Sequence, residues 1–131
     1  MTATASARTS LEIVRELYEA AFRGDGDAFP AAMHEDFEES VPPALPWGGI
    51  HRGPDAFRNQ VLPLLSKAVD FSTMRLENLS ADGDRVAALL TAQSSKGDDL
   101  HISEHWTLRD GKVWRMRVFY HDIAPLLATA E

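Results

Sequence analysis

The sequence contains no cysteine. Disulfides and thiolate metal centres are therefore excluded, and the composition suits a reducing compartment, so a cytoplasmic location is expected. No apolar run approaches the ~20 residues needed to cross a bilayer. The first residues show neither the basic nor the apolar segment of a secretion signal, and no membrane association is expected. Basic residues are in deficit, 13 Lys and Arg against 20 Asp and Glu, for a net charge of -7. Nucleic acid rewards basic stripes, which are absent here, so no nucleic-acid partner is expected. The chain also lacks a nucleophile elbow, a phosphate-cradling glycine loop, internal repeats and low-complexity segments.

What remains is the composition of an ordinary globular protein, 44% hydrophobic and 25% charged over 131 residues. That length predicts one domain over residues 9–131, behind a small, polar, disordered tail at 1–8. Ser10 is placed to cap a first helix carrying Leu11, Val14, Leu17, Tyr18, Ala21 and Phe22, with Gly24 at its end. A short second helix is expected from Asp25 through Met33, with Asp27 helping to cap it. A third runs from about Asp55 to Ala68, with Pro63 as an irregularity. From Phe71 onward the pattern is that of strands, Phe71–Ala81, Arg85–Ser95, Leu100–Arg109 and Val113–His121, separated by turns at Asp82-Gly83-Asp84, Lys96-Gly97 and Asp110-Gly111. The run Val86-Ala87-Ala88-Leu89-Leu90 is apolar on both sides and predicts a central strand. Helices followed by a four-stranded antiparallel meander predict an α+β fold, with the helices in the hollow of one strongly bent sheet.

The stretch from Glu38 to Gly53 joins the two halves. Phe37-Glu38-Glu39-Ser40-Val41 reads as a strand, so if Phe37 and Val41 face the core, Glu39 faces it too. Pro42, Pro43 and Pro46 then break pairing, Trp47-Gly48-Gly49 turn, and Ile50-His51-Arg52 form a second short strand. An inward acid beside a Pro/Gly loop carrying a tryptophan has the form of a pocket mouth. Glu104 is the second such acid, in register with Leu100, Ile102, Trp106 and Leu108. Carboxyls in apolar surroundings are hard to ionise, which suits a general base poised near neutrality or a protonated acid facing an oxyanion. A bulge, or pairing with Arg52, Arg115 or Arg117, would instead make these acids structural.

Trp47, Trp106, Met116 and Tyr120 are candidate walls for an apolar ligand, with the Tyr120 hydroxyl as a donor; ordinary core packing is the alternative for Trp106 and Met116. Five histidines do not make a metal site. His101 and His105 lie four residues apart on one strand face, about 13 Å by strand geometry, too far to share an ion. They share that face with Ser103 and Thr107 and read as a solvated or subunit-interface face. His121-Asp122 sits at a strand end, and of His34 and His51 the latter is the better site candidate, being next to Arg52. No metal and no cofactor is expected.

The run Pro46-Trp47-Gly48-Gly49-Ile50-His51-Arg52-Gly53-Pro54-Asp55 resembles the P-(Y/W)-G-G-x-(Y/H)-R-G segment of the nuclear-transport-factor-2-like superfamily, and within it the SnoaL-like polyketide cyclases. The runs Glu104–Val113 and Arg117–Asp122 are similar to that family's closing hairpin, so the resemblance covers nearly the whole chain. It implies a cone-shaped α+β barrel with a deep pocket, dimeric through the outer sheet face. It implies a cofactor-free cyclase or isomerase acting on an apolar, carbonyl-bearing, polyketide-type substrate. The same scaffold hosts dehydratases, epoxide hydrolases and non-catalytic binding proteins. Set beside ketosteroid isomerase, Glu104 falls at the protonated acid of the oxyanion hole, Tyr120 on a pocket aromatic, and Tyr18 near the oxyanion-hole tyrosine. The general-base position falls on Val41, with Glu39 one strand repeat earlier: either Glu39 has taken the base role, or the chemistry differs.

Overall fold

The computed structural model describes residues 8–130; of the tail expected over 1–8, only Arg8 lies within the described residues, where it pairs with Glu16. Helix α1, Ser10–Phe22, is capped by Thr9 rather than by Ser10. The Thr9 hydroxyl accepts from the Glu12 amide while the Glu12 carboxylate accepts from the Thr9 amide, so two orphan donors are satisfied reciprocally. The buried stripe is Val14, Tyr18 and Ala20, with Leu11 and Leu17 packed partly against the core; Phe22 is left 44% exposed. The second helix, α2, is shorter than the spacing predicts, Ala28–Ala31, and the Asp27 side chain makes no capping bond.

Met33 already belongs to strand β1, Met33–Val41, which pairs antiparallel with the short β2, Gly49–Arg52. Residues 54–68 form the third helical segment: α3 (Pro54–Ala56), a wider π-turn (Phe57–Val61) and α4 (Leu62–Ala68). Pro63 sits in the first turn of α4, where a missing amide costs least, and the π-turn resets the ladder just before it.

Four long strands follow, β3 (Val69–Asp82), β4 (Arg85–Ser94), β5 (Asp99–Arg109) and β6 (Lys112–Tyr120), then a terminal helix α5, Ala124–Ala128. The hairpins β3-β4, β4-β5 and β5-β6 are antiparallel. The meander does not stand apart from the N-terminal strands: β1 lies parallel to β6, giving one six-stranded sheet of order β2-β1-β6-β5-β4-β3. The result is the mixed α+β, curled-sheet cone with helices in its hollow.

Alternation then sorts β4, β5 and most of β6 into an inner and an outer face, whereas β3 carries two register shifts and does not alternate strictly. On β4, Val86, Ala88, Leu90 and Ala92 are buried, whereas Leu89 is 46% exposed, so the strand is not apolar-buried on both sides as its composition suggests. On β6 an extra residue, Trp114, falls where the register shifts between Thr107 and Leu108, which lets both Val113 and Met116 point inward. The Pro/Gly loop between β1 and β2 folds back through Leu45 N–H to Pro42 O (3.2 Å) and Gly48 N–H to Leu45 O (2.8 Å). It turns Leu45 and Trp47 into the core instead of holding the indole at a mouth; Trp47 is 2% exposed. No helix among the described residues is long and apolar enough to cross a membrane.

Candidate functional site

Cross-strand register places the inward residues in rows. Leu90, Ile102 and Tyr120 form one row; Ala88, Glu104 and Val118 the next; Val86, Trp106, Met116 and Glu39 the third. Glu104 and Glu39 therefore occupy adjacent inner rows, contributed by β5 and β1 with β6 between them. The small side chains of Ala88 and Val118 flank Glu104 on the neighbouring strands. Glu104 and Tyr120 keep part of their surface accessible, although Ile102, Trp106, Met116 and Val118 around them are buried to 6% exposure or less.

The geometry around Glu104 is specific. Tyr18, projecting from α1, donates its hydroxyl to Glu104 Oε1 at 2.5 Å. Trp106 Nε1 donates to the Tyr18 hydroxyl at 2.9 Å, and its ring meets the phenol edge-on, centroids 5.4 Å apart. Glu39 is 3% exposed, and its Oε1 has no hydrogen-bond partner, the only such buried side-chain atom among the described residues. His51 is Glu39's register partner on β2, so the two side chains share the inner face. Its Nε2 lies 2.7 Å from the Trp47 carbonyl; a carbonyl only accepts, so the hydrogen is on Nε2.

No cation offsets these acids. Arg115 is half-buried on the outer face, bonded to the Asp36 carbonyl and 3.8 Å from Glu38, while the other described arginines and lysines are exposed. Burial consequently pushes Glu39 up to about 8, with the Glu104 charge adding to it. Burial likewise raises Glu104, to about 7, with the Tyr18 donor pulling the other way. Tyr18 and Tyr120 are both held well above the usual phenol range, first by burial and then by the Glu104 charge. Both carboxyls are thus harder to ionise than an ordinary glutamate, and the charge of Glu104 opposes that of Glu39, so the two titrate as a pair.

The structure brings Glu39, Glu104, Tyr18, Trp106 and Tyr120 together, with Met116 beside Glu39 in register and His51 at the strand edge. Trp47 and Met116 pack in the core around this cluster. Trp106 does more than form a wall, and the polar use of its indole N–H has no signature in strand parity. His101 and His105 lie exposed on the outer face, and no cluster of metal-ligating side chains occurs among the described residues. A groove of about 780 Å³ runs along that same outer face past Ala87, His105, Thr107, Arg117 and Phe119; neither Glu39 nor Glu104 lines it.

A curled six-stranded sheet wrapped around helices is the cone-shaped fold of the nuclear-transport-factor-2-like class. The chain belongs to the SnoaL-like domain family, which matches residues 14–116. Solved structures agree on the fold. An NTF2-like protein from Burkholderia thailandensis E264 is 23% identical with a TM-score of 0.81, covering 95% of this chain and 99% of its own. An NTF2-like protein of unknown function from Burkholderia pseudomallei K96243 is 22% identical, TM-score 0.76, covering 94% and 98%. TerC, co-crystallised with polyporic acid, is 23% identical, TM-score 0.75, covering 93% and 98%. Among curated proteins, none matches the sequence.

Proposed function

We propose that the protein is a cofactor-independent cyclase or isomerase that moves a proton next to the carbonyl of an apolar, uncharged substrate of polyketide type. The observation that carries this reading is the pair of inward carboxyls, Glu39 and Glu104, on adjacent inner rows of the sheet with no described arginine or lysine beside them, both made harder to ionise by burial. One ionised and one protonated carboxyl can act together on a carbonyl compound. The carboxylate takes a proton from the carbon next to the carbonyl, and the carboxylic acid donates to the oxygen as its negative charge develops. The enol or enolate then attacks a second carbonyl, closing a ring, or is reprotonated at another carbon. Either outcome is redox-neutral. The absence of an inward cation disfavours a substrate with a carboxylate or phosphate near the reacting carbon. TerC's co-crystallisation with an organic small molecule supports ligand binding by this scaffold.

The test is solvent-deuterium incorporation α to the carbonyl in a panel of uncharged cyclic ketones and β-diketones, followed by proton NMR. The protein should accelerate exchange on at least one probe, and Glu39→Gln and Glu104→Gln should each slow it by on the order of a hundredfold or more. Exchange undiminished in the double glutamine variant would sink the acid–base reading. Tight binding of an apolar probe with no exchange would favour a non-catalytic binding protein.

A further inference from the structure

We infer that Trp106 and Tyr18 form a directional hydrogen-bond chain that makes Glu104 the proton acceptor of the site and leaves Glu39 as the proton carrier. This rests on the acid–base reading above. The direction follows from what each group can do. An indole N–H only donates, so at 2.9 Å from Trp106 Nε1 the Tyr18 oxygen must accept. The phenol has a single hydrogen, which is therefore directed at Glu104 Oε1, 2.5 Å away. That oxygen accepts and carries no proton of its own. The arrangement is held from both sides, since the Tyr18 ring lies edge-on to Trp106 and stacks near Phe22, with centroids 6.3 Å apart.

Glu39 has no such donor, and its Oε1 is buried and unpartnered. Negative charge settles on a carboxylate that receives a hydrogen bond in preference to one that does not. The other titratable groups do not reverse this preference. Glu104 faces Tyr18 from α1, Glu39 from β1 and Tyr120 from β6, all acids. On β2, His51 stands across from Glu39 in register, with its Nε2 hydrogen already given to the Trp47 carbonyl. Neither tyrosine can serve as the base, because burial and the carboxylate charge both hold its proton on. Tyr18 and Trp106 are accordingly positioning residues that act through Glu104.

The experiment is a pH titration of the glutamate side-chain carboxyl carbons by NMR, in the wild type, Tyr18→Phe and Trp106→Phe. In the wild type, Glu104 should ionise before Glu39. Tyr18→Phe keeps the ring and removes the donor, so the Glu104 midpoint should rise by about one pH unit. The Glu39 midpoint should fall in the same variant, because Glu104 then stays neutral to higher pH. Trp106→Phe should give a smaller rise at Glu104, since the freed hydroxyl can turn away. A merely structural role would not move the two midpoints in opposite directions. If Trp106→Phe does not fold, the wild-type order and Tyr18→Phe still decide. Both acids raised but Glu39 ionising first, or midpoints unmoved in Tyr18→Phe, would overturn the assignment and leave the acid–base reading standing. Both acids titrating near the ordinary ~4.3 of a glutamate would overturn the two together.

Discussion

Burying Glu39 costs the fold far more when its carboxyl is ionised than when it is neutral, which gives the residue a signature in the pH dependence of unfolding. Its value rises from an ordinary 4.5 to about 8 in the folded chain. Between those values the folded state binds more protons than the unfolded one, so stability falls as pH rises through that window and is undiminished below it. Glu39→Gln removes the titration. The variant should match the wild type in urea denaturation near about pH 5 and exceed it near about pH 9, by on the order of a few kcal/mol at ~1.4 kcal/mol per unit. Parallel profiles would show that the carboxyl is solvated. Activity carries the complementary signature: below about 7 Glu104 is protonated and the base is lost, and above about 8 Glu39 is ionised and the acid is lost. A bell with its maximum between these limits is expected, with the acidic limb moving to higher pH in Tyr18→Phe. Strand parity alone made both acids legible, because Glu39 alternates with Phe37 and Val41, and Glu104 with Ile102 and Trp106. The Tyr18–Glu104 contact spans 86 residues and depends on how α1 lies in the hollow, which periodicity along a helix does not encode.

Among the elements, the loop between β1 and β2 is the most exacting in its steric demands. A Cβ at Gly48 would lie 2.3 Å from the Pro42 carbonyl oxygen and 2.7 Å from that of Pro43, both backbone atoms that cannot step aside. Gly48→Ala must therefore push the chain apart just where Trp47 enters the core and where its carbonyl holds His51. We expect a loss of about 1–3 kcal/mol in a urea titration, the usual cost of overpacking, with a red shift of tryptophan emission. Gly26→Ala, where the added carbon meets nothing within 4 Å, is the control and should stay close to the wild type. Equal stability of the two variants would mean that the loop is not closed in this way. The hairpins of the meander were legible because Asp82-Gly83 and Asp110-Gly111 are local turn signals. The parallel pairing of β1 with β6 was not, since a contact between chain segments so far apart leaves no turn between them to read. The bulge at Trp114 escaped for a related reason: one extra residue changes parity without changing composition.

At the scale of the whole molecule, the outer face of the sheet remains to be accounted for. Leu89, Ser103 and Phe119 form one row across β4, β5 and β6, and Leu89 and Phe119 are 46% and 48% exposed. The next row holds Ala87, His105 and Arg117, with the His105 ring edge-on to Phe119 at 5.6 Å and its Nε2 2.9 Å from Ser103 Oγ. The Leu89–Phe119 row is apolar at both ends and is flanked along the same groove by Arg85, Arg115, Arg117 and Glu38, and an exposed apolar row of this kind can meet a copy of itself around a two-fold axis. Stable association requires roughly 800 Å² from each partner, an area that four adjacent strands can supply. The chain is thus expected to sediment as a homodimer. Phe119→Asp would place a charge in that row and should give a monomer with unchanged circular dichroism, because the side chain touches no part of the inner site. A wild type that sediments as a monomer would remove the proposed dimer. A dimer that survives Phe119→Asp would move its interface to another surface. Because the face that would pair and the face that carries Glu39 and Glu104 are opposite sides of the same strands, loss of the dimer should loosen the sheet that spaces the two acids. Proton exchange on a ketone probe should then fall in the monomeric variant, while the order in which Glu104 and Glu39 ionise stays the same.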